Sequence, residues 1–187
     1  DYGKPGNYVA RQVSRWSKQY RASETDNIEA MNNLIEWLPK NIPDDDETTI
    51  VHGDYRLDNM ILKNNEVIGI LDWELSTLGH PIADFSYHCL SWRTQEAFWD
   101  EAKLKELGIP SEKEYMEMYC ENSGKDLSKN WEFYMAFNMF KIAGILQGIL
   151  GRVRDGTAAS KHAEERGNMV FPLSQAAWTT IEDNFLK

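Results

Sequence analysis

Residues 131–150 constrain the fold of this chain more than any other segment. They are apolar nearly all round, the mark of a helix buried on every side, which needs other elements to surround it. The run is long enough to tempt a bilayer assignment, but Glu132, Asn138, Lys141 and Gln147 interrupt it and argue for a core helix. Helical periodicity recurs elsewhere. Val9, Val13, Trp16 and Tyr20 lie on one face of a first helix. Asp26 is expected to cap a second, which buries Ile28, Met31, Leu34 and Leu38 and ends before Pro39. Pro81 precedes a helix expected over residues 82–92. Ser111, with Glu114 three residues on, has the form of a capping box. From about Ala158 the chain reads as helical, with a break near Pro172. The expectation is a single, mostly helical α+β domain over residues 1–187, without a linker, repeat or low-complexity tract.

Strand signals are confined to the first half. Thr49-Ile50-Val51 reads as a strand. Met60-Ile61-Leu62 and Val67-Ile68-Gly69-Ile70-Leu71 are apolar, β-branched runs on either side of Lys63-Asn64-Asn65-Glu66, which reads as a turn. The resulting hairpin would bring Asn59 and Asp72 to one small volume, because directly opposed Cα atoms in such a ladder lie roughly 4.5–5.5 Å apart. Those two residues matter through what precedes them. His52, Asp54 and Asn59 keep the H-x-D-x-x-x-x-N spacing of protein-kinase-type catalytic loops, and Asp72 follows where such loops are followed by a metal-binding aspartate. Phosphoryl transfer needs positioning more than covalent help. Asp54 can accept the proton of an attacking hydroxyl, while Asn59 and Asp72 offer hard oxygens suited to Mg²⁺. Taken singly, each residue reads as an ordinary loop cap; together, at this spacing, they read as a site. His52 is expected to buttress the loop rather than act as a base. Glu74 is a candidate substrate-facing or supporting acid. Tyr87 and Trp92 either line an acceptor pocket or belong to the core.

His52-Gly53-Asp54 with Asn59, then Ile70-Leu71-Asp72-Trp73-Glu74 and Gly79-His80-Pro81-Ile82-Ala83-Asp84, resemble the aminoglycoside phosphotransferase and choline kinase superfamily. Arg56-Leu57-Asp58-Asn59, Trp73-Glu74-Leu75-Ser76-Thr77-Leu78-Gly79, Asn130-Trp131-Glu132-Phe133-Tyr134 and Tyr8-Val9-Ala10-Arg11-Gln12 are similar to the kinase-like domain fused to some acyl-CoA dehydrogenases. The resemblance implies the C-terminal lobe of a protein-kinase-like fold, with ATP as phosphoryl donor and Mg²⁺ as metal. It implies that Arg56 neutralises charge on the transferring phosphoryl group, although a salt bridge to Asp58 is an equal reading. It places Asp84 in support of the catalytic loop through hydrogen bonds, alongside a helix-capping alternative. No G-x-G-x-x-G or V-A-I-K-like strand precedes His52, so an N-terminal nucleotide-binding lobe is expected to be absent from this chain, leaving it inactive alone. No A-P-E segment follows Asp72, which points to a small-molecule acceptor. By resemblance that acceptor is a hydroxyacyl-CoA, and a fused acyl-CoA dehydrogenase domain is an expected partner.

Composition bounds the remaining readings. A chain of 187 residues buries roughly 70% of its unfolded surface, enough for one core. Seven Trp and eight Tyr suggest a dense aromatic core. The net charge of −10 argues against nucleic acid and against an anionic membrane surface, with Asp44-Asp45-Asp46-Glu47 as a solvated acidic loop. Cys89 and Cys120 form no pair or metal motif and no signal peptide is read, so a reducing compartment, cytoplasm or organelle matrix, is expected. His80, His88 and His162 lack metal-ligand spacing. Two alternatives to a small-molecule kinase stay open: a non-catalytic kinase-like module that binds acyl-CoA or a partner, and a metal-dependent hydrolase using His52, Asp54 and Asp72.

Overall fold

The computed structural model describes residues 3–45, 47–94, 101–158 and 162–187, with the side chain of residue 101 excepted. The long apolar run forms α7, Trp131–Arg154, one turn longer than the sequence predicts. It is long and apolar enough to cross a membrane, yet it is the core helix here: Phe133, Tyr134, Met135, Phe137, Met139 and Phe140 are all buried on it. Around it pack α1 (Tyr8–Ser23), α3 (Pro81–Cys89), α8 (Ala163–Gly167) and α9 (Val170–Phe185), and α2 (Glu29–Trp37) packs against α9. The predicted face of α1, Val9, Val13, Trp16 and Tyr20, is the buried one. The shorter helices are α4 (Ser91–Thr94), α5 (Glu101–Glu106) and α6 (Glu112–Ser123).

The polar residues that interrupt the core helix each tie it to a neighbour. The Asn138 amide donates to Ala83 O at 2.9 Å and to Ser86 Oγ at 2.8 Å, which fixes α3. The Gln147 amide donates to Ser23 O at 2.7 Å, closing the end of α1. Glu132 accepts from Arg93, whose guanidinium also grips Glu112 of α6. A buried polar group is tolerated when such partners are present.

Strands form two antiparallel pairs. β1, Thr49–Val51, pairs with β4, Thr77–Gly79, with Thr49 opposite Gly79 and Val51 opposite Thr77. β2, Met60–Lys63, and β3, Glu66–Ile70, form the expected hairpin. Its two turn residues, Asn64 and Asn65, have φ of 51° and 60°, the paired positive φ of a primed turn that matches strand twist.

Helix α2 ends before Pro39, as expected, and three local expectations differ. Asp26 does not cap α2: Ile28 occupies that position, without a side-chain cap and with its apolar side chain in the core. The α-helix stops at Trp37, and buried Leu38 begins a single 3₁₀ turn with Pro39 inside it. The helix expected over 82–92 starts at Pro81 and is divided at Leu90 into α3 and α4. Pro172 makes no break, because it lies in the first turn of α9, where its missing N–H is not needed; the break falls at residues 168–169. The capping box of Ser111 and Glu114 is present at the start of α6. Of the acidic run, Glu47 pairs with Lys125 at 2.5 Å, and Asp46 lies outside the described residues. Cys89 and Cys120 are both free thiols.

Candidate active site

The end of β1 delivers the chain into the loop that carries His52 and Asp54, and the β1–β4 ladder sets that loop beside the segment following Asp72. Three residues, Asp84, Gly53 and His52, fix its shape. The Asp84 carboxylate, on the first turn of α3, accepts the N–H of His52 at 2.8 Å and of Gly53 at 2.9 Å. It makes no cap for its own helix, so both oxygens serve the loop. Gly53 has φ of 86°, and a Cβ there would lie 2.6 Å from Leu75 O. His52 is 3% exposed. Its Nδ1 faces the Asp54 N–H at 3.2 Å and must accept from it, which leaves Nε2 to donate to Leu71 O at 2.7 Å. His52 thereby joins the loop to the hairpin end next to Asp72. Both ring nitrogens are taken up by these two contacts.

The Asp54 carboxylate is held on both oxygens. The Asn59 amide donates to Asp54 Oδ2 at 3.1 Å and to Asp54 O at 2.8 Å. The Tyr87 hydroxyl donates to Asp54 Oδ1 at 2.8 Å. Burial, and then the hydrogen bond to Asp54, push the Tyr87 phenol up to about 12, so it is a standing donor near neutral pH. At the hairpin's open end Met60 pairs with Ile70, and Leu71 N–H donates to Asn59 O at 2.8 Å. The ladder therefore brings Asn59 to the strand end that Asp72 follows. Asp72 adopts a left-handed conformation, φ 64° and ψ 48°, at the start of a 3₁₀ turn spanning Trp73–Leu75. Backbone strain of this kind gathers at functional sites, and asparagine or aspartate tolerates it best.

The arrangement has clear relatives. The model of the phosphotransferase enzyme family matches residues 1–119. The chain belongs to that family. A crystal structure from Ralstonia eutropha, assigned provisionally as an aminoglycoside phosphotransferase, superposes with a TM-score of 0.92 at 48% identity, over 98% of this chain and 58% of that one. Mouse acyl-CoA dehydrogenase family member 10 is 46% identical over 95% of this chain, and human acyl-CoA dehydrogenase family member 11 is 41% identical over 93%. The chain spans only 17% and 23% of those two proteins' lengths. The fold is accordingly the kinase-like one of this phosphotransferase family, mostly helical with a small hairpin at the site.

Within this family member the remaining sequence candidates separate. Arg56 pairs with Asp58 at 2.7 Å on the exposed rim, with 52% and 76% of the two side chains open to solvent. An exposed pair of that kind contributes little, and Arg56 also lies against the Tyr87 hydroxyl. Glu74 is exposed and holds no hydrogen bond or ion pair among the described residues. Trp92 stacks on Tyr115 with ring centroids 5.2 Å apart and donates to Pro110 O at 3.0 Å. Arg56, Tyr87 and Trp92 all line a cleft of about 420 Å³, whose remaining wall includes Leu57, Leu104, Ile109 and Ile142.

One residue at the site escaped the sequence reading. Lys141 of α7 reaches Gly53 O at 3.4 Å and sits 4.7 Å from the centre of the Tyr87 ring. In the sequence it is only a polar interruption of an apolar helix. Its signal was its place one helical turn after Asn138, which marks the face of α7 that meets α3.

Donor chemistry fits Mg²⁺. Asn59 spends its amide N–H on Asp54, which leaves its side-chain oxygen Oδ1 without a hydrogen bond among the described residues; the Asp72 carboxylate is likewise uncommitted there. Two hard oxygens suit Mg²⁺, which keeps waters and substrate phosphates as its other ligands. Among the described residues no cluster of three or more His, Cys, Asp or Glu forms a closed cage.

Proposed function

We propose that this chain carries the catalytic half of an ATP- and Mg²⁺-dependent kinase that phosphorylates a small-molecule hydroxyl. The observation behind the reading is the Asp54 carboxylate, held by Asn59 and Tyr87 on a loop that Asp84 and His52 immobilise. In this reading Asp54 accepts the proton of the acceptor hydroxyl as the oxygen attacks the γ-phosphorus in line, and the bond to the β,γ-bridging oxygen breaks to release ADP. Asn59 and Asp72 hold Mg²⁺, which when bound supplies positive charge against the phosphate oxygens. Arg56, at the mouth of the cleft, neutralises charge on the transferring group.

A nucleotide-covering lobe completes the site. Leu57, Leu62, Ile68, Trp73 and Leu75 are 47–70% exposed on the hairpin and its flank, a concentration of apolar surface that calls for a covering partner. The Ralstonia chain, of which this one spans 58%, has the length for such a lobe. The acceptor we propose is a hydroxyacyl-CoA, with a fused acyl-CoA dehydrogenase domain as partner. The names of the relatives support it, as do the apolar walls of the cleft. The test is ³¹P NMR of the full-length protein with ATP, Mg²⁺ and a panel of hydroxyacyl-CoAs, choline and aminoglycosides. A new phosphate-ester resonance with the acyl-CoAs is expected. Loss of the γ-phosphate to inorganic phosphate alone would remove the kinase assignment, and an ester formed only on choline or an aminoglycoside would replace the acceptor.

A further inference from the structure

Lys141 presents an unusual situation for a lysine. It projects from the middle of the core helix, it is largely out of solvent, and no carboxylate pairs with its ammonium among the described residues. Burial lowers its hold on the proton, while the charges of Asp84 and Asp54 work in the opposite direction. A desolvated ammonium without a counter-ion is costly, and such groups concentrate at functional sites. What Lys141 does touch is informative. It takes the face of the Tyr87 ring at 4.7 Å and the carbonyl of Gly53 at 3.4 Å. The first of these is the residue whose hydroxyl grips Asp54 Oδ1, and the second immediately precedes Asp54.

We propose that Tyr87 and Lys141 are positioning residues for Asp54, in which the ammonium of Lys141 seats the Tyr87 ring and the loop carbonyl, and the Tyr87 hydroxyl sets the rotation of the Asp54 carboxylate. The inference rests on the kinase reading above and deepens it. The geometry gives each part a reason. α3 sends Asp84 to the loop backbone and Tyr87, three residues later on the same helix face, to the loop's functional carboxylate. Asn59 holds only Oδ2, and a carboxylate held at one oxygen turns about its Cβ–Cγ bond; the Tyr87 hydroxyl removes that freedom. A misplacement of about 1 Å at a reacting group can cost on the order of 100-fold in rate. An ammonium over the ring face attracts it by cation–π interaction, so the charge on Lys141 bears on where the phenol oxygen sits. Tyr87 therefore does more than line the cleft. Tyr87 lines the cleft and also bonds the carboxylate that the kinase reading assigns to the acceptor hydroxyl.

The test compares Tyr87→Phe, Lys141→Met, Lys141→Arg and the Tyr87→Phe/Lys141→Met double variant in the full-length protein. The expected result is a kcat lowered about 10- to 100-fold in Tyr87→Phe and Lys141→Met with KM for ATP unchanged. The double variant should be no slower than the slower single, since both act through one carboxylate, and Lys141→Arg should recover part of the rate. A kcat within about two-fold of wild type in Tyr87→Phe, or a parallel rise in KM for ATP, overturns the proposal while the kinase reading stands. A second readout needs no turnover. With tyrosine labelled at the ring carbon bearing oxygen, the Tyr87 ¹³C resonance should move in Asp54→Asn and again in Lys141→Met. A resonance indifferent to both overturns the arrangement even if the wild-type protein phosphorylates none of the acceptors.

Discussion

At the scale of single residues, Gly53 shows how tightly the loop is specified. Its φ of 86° disfavours any side chain, and a Cβ would strike Leu75 O at 2.6 Å. Gly53→Ala is expected to cost roughly 1–3 kcal/mol of stability, measured by urea unfolding, and to lower phosphoryl transfer by more than the stability loss explains because Asp54 is the next residue. The spacing of His52, Asp54 and Asn59 was legible in the sequence because short-range order fixes it. The two hydrogen bonds of the His52 ring, to the Asp54 N–H and to Leu71 O, are contacts that spacing alone does not specify. The hydrogen bonds that hold Asp54 and its loop were not legible, since Asn59 was read only as a metal ligand. Asn59 is five residues away, whereas Tyr87 and Lys141 reach the site from α3 and α7. A contact made across 33 or more residues leaves no local pattern to read. The left-handed backbone of Asp72 was invisible for the same reason: aspartate adopts it only where the surrounding structure demands it.

Elements were read best where their own periodicity decides them and worst at their ends. The buried face of α1, the capping box of α6 and the hairpin all follow from local pattern. The division between α3 and α4 and the unbroken first turn of α9 depend on tertiary packing and on where Pro172 falls within its helix. The hairpin itself makes a prediction. Asn64 and Asn65 hold positive φ, which β-branched residues resist by roughly 1–2 kcal/mol per residue. Asn65→Val should therefore loosen β2 and β3 and cut the hydrogen-exchange protection of their amides by about ten-fold. Asn65→Gly should leave protection at or above the wild-type level. Equal protection in both variants would mean that the turn does not set the register that brings Asn59 to Asp72.

For the molecule as a whole, the central helix is both core and scaffold for the site. Glu132, Asn138, Lys141 and Gln147 had marked it as a core element rather than a span, and each proves to tether a different neighbour. Burial also leaves a mark on alkaline stability. Tyr8, Tyr20, Tyr87 and Tyr115 are all held up to about 12 in the fold, chiefly by desolvation, against roughly 10 in an unfolded chain. The protonated phenols favour the folded state, so their contribution is complete below pH of about 10 and is lost as the pH rises toward 12. The urea midpoint should fall steadily across that window, and the phenolate signals of these four rings, resolved by ¹³C-tyrosine NMR, should appear together with unfolding rather than before it. Phenolates that titrate near 10 in a chain still folded would show these rings to be more open than their packing indicates.

The claim on which the rest depends is that Asp54 acts in the chemical step and not in holding nucleotide. It is tested most directly by measuring, in one preparation of full-length Asp54→Asn, both ATP affinity by calorimetry and the single-turnover rate of phosphoryl transfer. ATP binding close to wild type and a rate lower by about 100- to 10,000-fold are expected. Turnover within ten-fold of wild type, or a loss that follows entirely from weakened ATP binding, would contradict it.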